Sequence, residues 1–293
     1  MNTTLVITHS ADLDGRCSQA IAKRSLGESA DYLGWDYSDD IPDTSKYIRV
    51  YLIDVSFPPP EMAKIASKLV WIDHHASAIK DNPTYYGGLR IDGVAACRLA
   101  WQWFFGNSRA AKADYIERKV GEPYAVQLLG EHDIFDHSNP DTFPFQYAMQ
   151  AETNPNWDAM LGPERTHGDT DVVWPLIEKG RPIERYLKVT QAELANEAGY
   201  DATFEGINFR VLNTPQKGSM QFDASIKEHH DGCLRYYWNG KTWGCSLYGV
   251  AHKKDVDLSV IAKKYGGGGH KSACGCTFAK LPPELGGKPA NSQ

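Results

Sequence analysis

The stretch LVWIDHHASA (residues 69–78) runs four apolar side chains directly into an aspartate and two adjacent histidines. A short, continuous apolar run is typical of a buried strand in a parallel sheet. Polar groups at the end of such a strand cost free energy unless they are hydrogen-bonded, paired with an opposite charge or bound to a metal. Asp73, His74 and His75 therefore mark a candidate functional site where this strand ends.

Apolar runs alternate with helical patterns over the first part of the chain. This alternation implies right-handed crossovers and a mostly parallel sheet with helices on both faces, so we predict an α/β fold. The predicted strands are residues 4–8, 47–54 and 69–73, and the predicted helices are residues 15–27, 59–68, 94–105 and 120–133.

The rest of the sequence predicts a second, smaller α/β domain. Residues 138–172 are rich in Pro, Asn, Asp and Gly and are expected to be irregular. A long helical pattern follows at 175–198, with a break expected at Gly180 and Pro182. Strands are then expected at 207–214, 233–240 and 242–251, and a helix at 257–265. The predicted organisation is a catalytic domain at 1–172, a helical linker at 173–204, a substrate-binding domain at 205–281 and a flexible tail at 282–293.

Composition argues against several function classes. A formal net charge of -6 argues against a protein that holds long duplex nucleic acid mainly by neutralising phosphates. No apolar run approaches the ~20 residues of a membrane span, and the N-terminus lacks a signal-peptide pattern. The six cysteines include no CxxC pair and are interpreted as reduced thiols of a cytoplasmic protein. A structural role is favoured over zinc for Cys274 and Cys276, and a homodimer is left open.

Acidic residues and histidines cluster where predicted elements end. The carboxyl ends of parallel strands converge on one crevice, so four separate segments are expected to deliver these side chains to one place. A lone aspartate after a strand is more often a helix cap. A whole set of carboxylates, however, cannot sit together without cations. Two divalent metals ~3.5–4 Å apart would neutralise them and generate a hydroxide nucleophile. The ligand balance favours Mn²⁺, with Mg²⁺, Co²⁺ or Zn²⁺ as alternatives. The residues are His9, Asp12, Asp14, Asp54, Asp73, His74, His75 and Asp133.

Five segments of the sequence resemble the motifs of the DHH phosphoesterase superfamily, in its nanoRNase, pAp phosphatase and RecJ-like group. The fifth resembles the glycine-rich signature of the C-terminal DHHA1 domain, so the resemblance spans nearly the whole chain. The segments are THSADLDG (8–15), LIDVS (52–56), WIDHH (71–75), GEHDIFDH (130–137) and YGGGGHKSACG (265–275).

The resemblance implies a role for each matching residue. His9 and Asp12 would bind one metal, and Asp14, His74 and Asp133 the other. Asp54 would bridge both metals and take part in catalysis. Asp73 would orient a neighbouring histidine, and His75 would face the scissile phosphate. The implied substrate-binding residues are Gly267, Gly268, Gly269 and His270, across the cleft, and Tyr248, which stands where many DHHA1 domains have an arginine and could stack on a base.

The spacing in the first motif departs from the family pattern. Two residues separate His9 from Asp12, where many family members have one or three, which weakens the assignment of Asp12. Arg90 and Arg98 are candidate phosphate contacts without a spacing argument. His132 and His137 are expected to be exposed or to contact the metal-binding residues without binding the metal themselves. EHHDG (228–232) is expected to be a surface turn.

The predicted function is a metal-dependent phosphoesterase that hydrolyses short oligonucleotides or linear dinucleotides by a two-metal hydroxide mechanism. The alternatives within this class are a pAp phosphatase and a cyclic-dinucleotide phosphodiesterase. A non-catalytic nucleotide-binding protein on the same fold is the alternative of another class. Because every expected ligand position is filled, the enzyme is favoured.

Overall fold

The computed structural model describes residues 2–82, 86–106, 121–162 and 169–286. The chain divides into two compact units, Met1–Glu184 and Arg185–Gln293. The division falls inside the predicted linker at 173–204, and the predicted limits at 172 and 205 stay predictions. Residues 287–293 of the predicted tail lie outside the described residues.

The N-terminal unit contains a four-stranded sheet in which every pair of neighbouring strands is parallel. The strand order is β2-β1-β3-β4. The predicted mostly parallel sheet is therefore confirmed. Strand β2 was not predicted, because its residues are mostly half-buried or exposed rather than apolar and buried. The strands are β1 (Thr4–His9), β2 (Ala30–Trp35), β3 (Arg49–Ile53) and β4 (Leu69–Ile72).

Both faces of this sheet are covered. Within β1, Val6 belongs to one core cluster, whereas Leu5 and Ile7 belong to a second cluster on the other face. Side chains of successive strand residues point to opposite faces, so this division follows from the strand period. The helices are α1 (Leu13–Leu26), α2 (Pro59–Lys64), α3 (Ala76–Asp81), α4 (Ala96–Phe105), α5 (Tyr124–Asp133), α6 (Thr142–Ala151), α7 (Trp157–Met160) and α8 (Asp169–Ala198).

The prediction that residues 138–172 are irregular was wrong. Helices α6 and α7 and the start of α8 occupy much of this range. Phe145, Ala148 and Met149 lie three and four residues apart in α6 and are all buried. This helical spacing of apolar residues outweighs the high content of Pro, Asn and Asp.

The predicted break at Gly180 and Pro182 was also wrong, because α8 is assigned as one helix from Asp169 to Ala198. A Cβ added at Gly180 would lie 1.7 Å from the carbonyl oxygen of Pro144 in α6. Gly180 therefore permits the close approach of two helices and does not end one.

The C-terminal unit contains a six-stranded mixed sheet in the order β5-β6-β7-β8-β10-β9, in which β6 and β7 are parallel. Its core includes Phe209, Leu234, Leu247 and Ala262. The predicted smaller α/β domain is confirmed, although β5, β9 and β10 were not predicted as strands. The elements are β5 (Tyr200–Phe204), β6 (Ile207–Asn213), β7 (Gly232–Trp238), β8 (Trp243–Gly249), α9 (Ser259–Lys264), β9 (Gly268–His270) and β10 (Ala273–Phe278).

All six cysteines lie within the described ranges, and each is a buried free thiol. Cys276 in β10 lies opposite Cys245 in the neighbouring strand β8, and Cys274 lies in the same core. Among the helices that the structure describes, none combines the length and the apolar character needed to cross a bilayer.

Candidate metal centre

Three parallel strands of the N-terminal unit end at the candidate site. His9 is the last residue of β1, Asp54 follows β3, and residues 73–75 follow β4. Asp54 has a φ of 64°, a left-handed conformation that a non-glycine residue rarely adopts. The backbone turns sharply there, directly after the strand, and the Asp54 carboxylate is 1% exposed. The sheet therefore presents its polar strand ends at one edge.

One cluster of ligand atoms consists of His9, Asp12 and Asp54. His9 Nδ1 lies 2.6 Å from Asp12 Oδ2 and 3.6 Å from Asp54 Oδ2. Asp12 is also the N-cap of α1, since its Oδ1 accepts a hydrogen bond of 2.9 Å from the backbone N–H of Gly15. One carboxylate thus caps the helix with one oxygen and contacts His9 with the other.

A second cluster consists of Asp14, His74 and Asp133. His74 Nε2 lies 3.2 Å from Asp133 Oδ2 and 3.7 Å from Asp14 Oδ2. It also lies 3.4 Å from Asp54 Oδ1. Because Oδ2 of Asp54 is close to His9, the two oxygens of Asp54 contact different clusters. Asp54 therefore occupies the position between them.

Asp14 is fixed by the N-terminus of α4. Its Oδ2 accepts a hydrogen bond of 2.8 Å from the backbone N–H of Ala96, and its Oδ1 accepts one of 2.7 Å from that of Cys97. The unpaired N–H groups and the dipole of a helix N-terminus favour a negative charge. Each carboxylate oxygen keeps a second lone pair, so these bonds orient Asp14 without preventing ligation.

Asp73 accepts hydrogen bonds from several donors around it. Its Oδ1 accepts from the backbone N–H groups of His74 and His75, at 2.7 and 3.1 Å. The same oxygen lies 2.7 Å from His75 Nδ1, and because a carboxylate only accepts, Nδ1 is the donor. Asp73 Oδ2 accepts from the indole N–H of Trp71 at 3.1 Å. The contacts of Asp73 thus orient the ring of His75.

Burial and neighbouring charges shift the pKa values in this site strongly. Burial raises the pKa of Asp14 well above its usual range, and the charges of Asp54 and Asp133 add to this. Burial also raises the pKa of Asp133, to about 6, although His74 opposes it. For Asp54 burial acts the same way, but the adjacent imidazoles of His74 and His9 outweigh it and hold the pKa below its usual range.

For the histidines, burial lowers the pKa and neighbouring carboxylates raise it. Burial disfavours protonation of His9, but the hydrogen bond to Asp12 and the nearby carboxylate of Asp54 outweigh it and raise the pKa of His9 to about 10. Burial is likewise outweighed at His75, where the charge of Asp73 raises the pKa to about 9. In the absence of a bound cation, protonated imidazoles would offset the negative charge of the carboxylates.

These residues fit a site for divalent cations. Asp54 Oδ2 and Asp133 Oδ2 are buried and accept no hydrogen bond from any described residue. Buried carboxylate oxygens without a donor are costly unless a cation is bound. Carboxylate and imidazole ligands suit first-row divalent metals. The two clusters could therefore hold metal ions, with Asp54 in contact with both.

Sequence reasoning missed two residues next to the site. Asp36 follows the unpredicted strand β2, and its Oδ1 lies 4.0 Å from His9 Nε2. The ring of Tyr37 packs edge-on against His9, with centroids 6.0 Å apart. The signal was the position of Asp36 directly after DYLGW (31–35), which becomes visible only once that segment is recognised as a strand.

Two arginines considered as phosphate contacts have structural partners in the N-terminal unit. Arg90 donates to the carbonyl oxygens of Trp71 and Tyr86 at 3.2 and 2.9 Å. Arg98 forms a bidentate pair with Glu122. Of the histidines near Asp133, His137 is exposed, and His132 packs edge-on against a phenylalanine, with centroids 5.6 Å apart.

The predicted substrate-binding residues lie in the C-terminal unit. Gly267, Gly268 and Gly269 lead into and form β9, and His270 ends it. A Cβ at Gly267 would lie 2.0 Å from the carbonyl oxygen of Gly275, so this glycine also has a packing role. The hydroxyl of Tyr248 accepts a hydrogen bond of 3.2 Å from the Gly218 N–H. The substrate contacts of all five residues stay predictions.

The segment EHHDG (228–232) lies partly at the surface of the same unit. His229 is exposed, as expected for a turn, but His230 is fully buried. Its Nε2 lies 3.0 Å from Asp201 Oδ1, and its Nδ1 accepts from the backbone N–H of Lys227 at 2.9 Å. Since Nδ1 accepts, the ring proton of a neutral His230 is on Nε2, which does not suit a metal ligand.

Comparisons with known proteins bear on the fold. No protein-family model matches the sequence. The uncharacterized protein R106 of Acanthamoeba polyphaga mimivirus is 22% identical over 239 residues, covering 75% of this chain and 50% of that protein. The chain thus spans about half the length of the curated relative that it matches.

The solved structures that are similar to the chain include a DHH domain and a phosphodiesterase. The DHH domain of a protein described as a member of the s1p family of ribosomal proteins matches with a TM-score of 0.52 and 11% identity, over 95% of this chain and 83% of that one. A pGpG-specific phosphodiesterase from Vibrio cholerae matches with a TM-score of 0.44 and 14% identity, over 95% of this chain and 94% of that one. The first match shows the fold. The chain has the fold of the DHH proteins, as the resemblance of its sequence motifs predicted.

Proposed function

We propose that the chain is a divalent-metal-dependent phosphoesterase that hydrolyses phosphodiester bonds of short oligonucleotides or linear dinucleotides. The observation that carries this proposal is the position of Asp54. Its two oxygens lie 3.6 Å from His9 Nδ1 and 3.4 Å from His74 Nε2, between two clusters of buried ligand atoms. Such a shared carboxylate is what a pair of metal ions requires.

Two divalent cations, with Mn²⁺ as the favoured ion, would lower the pKa of a coordinated water and neutralise charge on the phosphoryl oxygens. His9, Asp12 and Asp54 are assigned to one ion, and Asp14, His74, Asp133 and Asp54 to the other. The preference for Mn²⁺ over Zn²⁺ follows from the excess of carboxylate over imidazole ligands.

The chain's own residues hold the reacting groups in place. The hydrogen bond from His75 Nδ1 to Asp73 fixes the imidazole beside the cluster, 4.0 Å from Asp54 Oδ1. An imidazolium held in this way stabilises negative charge on a phosphoryl group and can donate a proton to the leaving oxygen. We assign this role to His75, with Asp73 as the residue that positions it.

The substrate class rests on charge and on the motifs. A net charge of -6 opposes binding of long duplex nucleic acid, whereas a metal centre reverses the field locally for a short substrate. Gly267, Gly268, Gly269, His270 and Tyr248 are proposed to bind the remainder of the substrate, as the DHHA1-like motif implies.

Hydrolysis of a substrate panel tests this proposal. The panel contains pAp, pGpG, a cyclic dinucleotide, and RNA and DNA of five and twenty nucleotides, each with added Mn²⁺. We expect turnover of the linear species of two to five nucleotides, and its loss in Asp54→Ala and His75→Ala. Asp43→Ala is the matched control, because Asp43 lies on an exposed loop and, in the part of the chain that the structure describes, accepts hydrogen bonds from Ser45 alone. Preference for pAp or for the cyclic dinucleotide would select one of the alternative phosphoesterases. Binding of nucleotides without any turnover would select the non-catalytic protein.

A further inference from the structure

A groove of about 680 Å³ lies in the N-terminal unit directly beside the candidate metal centre. His9, a ligand candidate, forms part of its floor, so a molecule bound at the metals can extend into it. One wall is the exposed face of α1. The residues that line it are Thr8, His9, Ser10, Arg16, Gln19, Ala20, Lys23, Gly34, Asn154, Pro155, Asn156, Trp157 and Asp158.

Two cations of α1 line this groove. Arg16 and Lys23 are seven residues apart, which places them on the same face of the helix, ~10 Å apart along its axis. Within the described residues, the Arg16 side chain has no hydrogen bond and no ion pair, and Lys23 Nζ lies 5.4 Å from the ring centre of Tyr32. Asp158 is the one acidic residue among the lining residues given above. The groove therefore carries excess positive charge beside a strongly acidic centre.

The other lining residues include polar and aromatic side chains. Asn154 contributes an amide that can both donate and accept hydrogen bonds. Trp157 is half-buried, packs partly against the core and lines the groove. Indole rings stack on nucleobases without strict sequence preference. These side chains thus complement a base, and the α1 wall complements a phosphate.

We propose that this groove binds the nucleotide next to the scissile bond, with its phosphate against Arg16 and Lys23 and its base against Trp157 and Asn154. This inference rests on the proposed function and deepens it. The N-terminal unit itself then selects substrates that have at least one nucleotide beyond the bond that is cleaved. A solvated helix face would also expose lysine and arginine, but it would not border a metal ligand and line a groove together with an aromatic side chain.

The test compares substrates that differ in whether they can reach the groove. kcat and KM are measured with Mn²⁺ for an RNA 5-mer and for bis-p-nitrophenyl phosphate, a phosphodiester that contains no nucleotide. The variants are wild type, R16A/K23A and a charge-matched control, R49A/K64A. Arg49 begins β3 and Lys64 ends α2, so both lie outside the groove. In R16A/K23A we expect the KM for the 5-mer to rise about tenfold more than that for the small diester. The control is expected to leave both KM values unchanged.

Equal effects of R16A/K23A on the two substrates, or no effect, would overturn the inference. The proposed function fails separately, if wild type hydrolyses neither substrate. In that case, fluorescence polarisation of a 5′-fluorescein-labelled 5-mer measures whether the groove binds a nucleotide. Binding by wild type that R16A/K23A weakens about tenfold supports the groove as a nucleotide site, and equal or absent binding overturns it.

Discussion

The substitution Asp73→Asn tests whether Asp73 positions the ring of His75 or binds a metal ion. Asp73 is completely buried, and its oxygens accept hydrogen bonds from three residues. Asparagine has nearly the same shape but no charge and only one acceptor oxygen. The variant therefore tests whether the charge and the second oxygen of Asp73 matter, without leaving a cavity.

The expected loss of stability in Asp73→Asn follows from the hydrogen bonds to Asp73. A hydrogen bond to a charged group contributes ~1.5–3 kcal/mol and a neutral one ~0.5–1.5, so each of the three bonds to Oδ1 loses about 1 kcal/mol. The indole N–H of Trp71 then faces an amide nitrogen, but it still donates to the carbonyl oxygen of Val55 at 3.1 Å. Burying a neutral amide costs less than burying a carboxylate, which offsets part of the loss. We expect a net destabilisation of about 2 kcal/mol, or a fall in Tm of about 4–8 °C.

The effect on activity is larger than the effect on stability. With its ring no longer fixed by a carboxylate, His75 is expected to lose its alignment, and kcat falls about 100-fold. Mn²⁺ binding is expected to persist, because the oxygens of Asp73 are occupied by hydrogen-bond donors. The assays are denaturant unfolding, hydrolysis of the 5-mer and calorimetric titration with Mn²⁺, each beside the exposed control Asp43→Asn. Unchanged stability together with unchanged kcat would refute the positioning role, and loss of Mn²⁺ binding would make Asp73 a ligand instead.

Two further predictions concern stability. Helix propensity alone predicts that Gly180→Ala stabilises by about 1 kcal/mol, but the new Cβ would lie 1.7 Å from the Pro144 oxygen. We expect destabilisation of ~1–3 kcal/mol in urea unfolding, and an increase in stability would contradict the close helix approach. In the C-terminal unit, burial opposes ionisation of Asp201, but hydrogen bonds from Arg210 and two histidines outweigh it and lower the pKa of Asp201 to about 2. Because the folded pKa is the lower one, this stabilisation is present above the unfolded value of ~3.9 and is lost as the pH falls towards 2. Asp201→Asn should therefore unfold more easily than wild type at pH 7, with a difference that shrinks as the pH falls towards 2, and a constant difference would exclude this cause.

The sequence predicts the parallel sheet well because three of its four strands contain short apolar runs. Most residues of β1, β3 and β4 are buried, as expected in a sheet that is covered on both faces. Strand β2 includes exposed residues, so that signal is weaker there. Asp36 was missed for the same reason. The candidate residues were found as polar residues that follow a predicted strand, and β2 was not among the predicted strands.

Side-chain partners could not be predicted in the same way. Arg98 looked like a phosphate contact, yet it pairs with Glu122, which is 24 residues away in sequence. Gly180 looked like a helix breaker because its contact with Pro144 is tertiary and leaves no local signal. The proximity of His9, Asp54 and His74 could be predicted, because they follow or end parallel strands, and the carboxyl ends of parallel strands converge on one edge of the sheet.

The number and coupling of bound Mn²⁺ ions test the central claim most directly. Calorimetric titration of the metal-stripped chain, with electron paramagnetic resonance of the loaded sample, measures both without relying on turnover. The account predicts two Mn²⁺ ions per chain whose spins are magnetically coupled, with the coupling lost in Asp54→Asn. A single ion, no ion, or two uncoupled ions in the wild-type chain would contradict it.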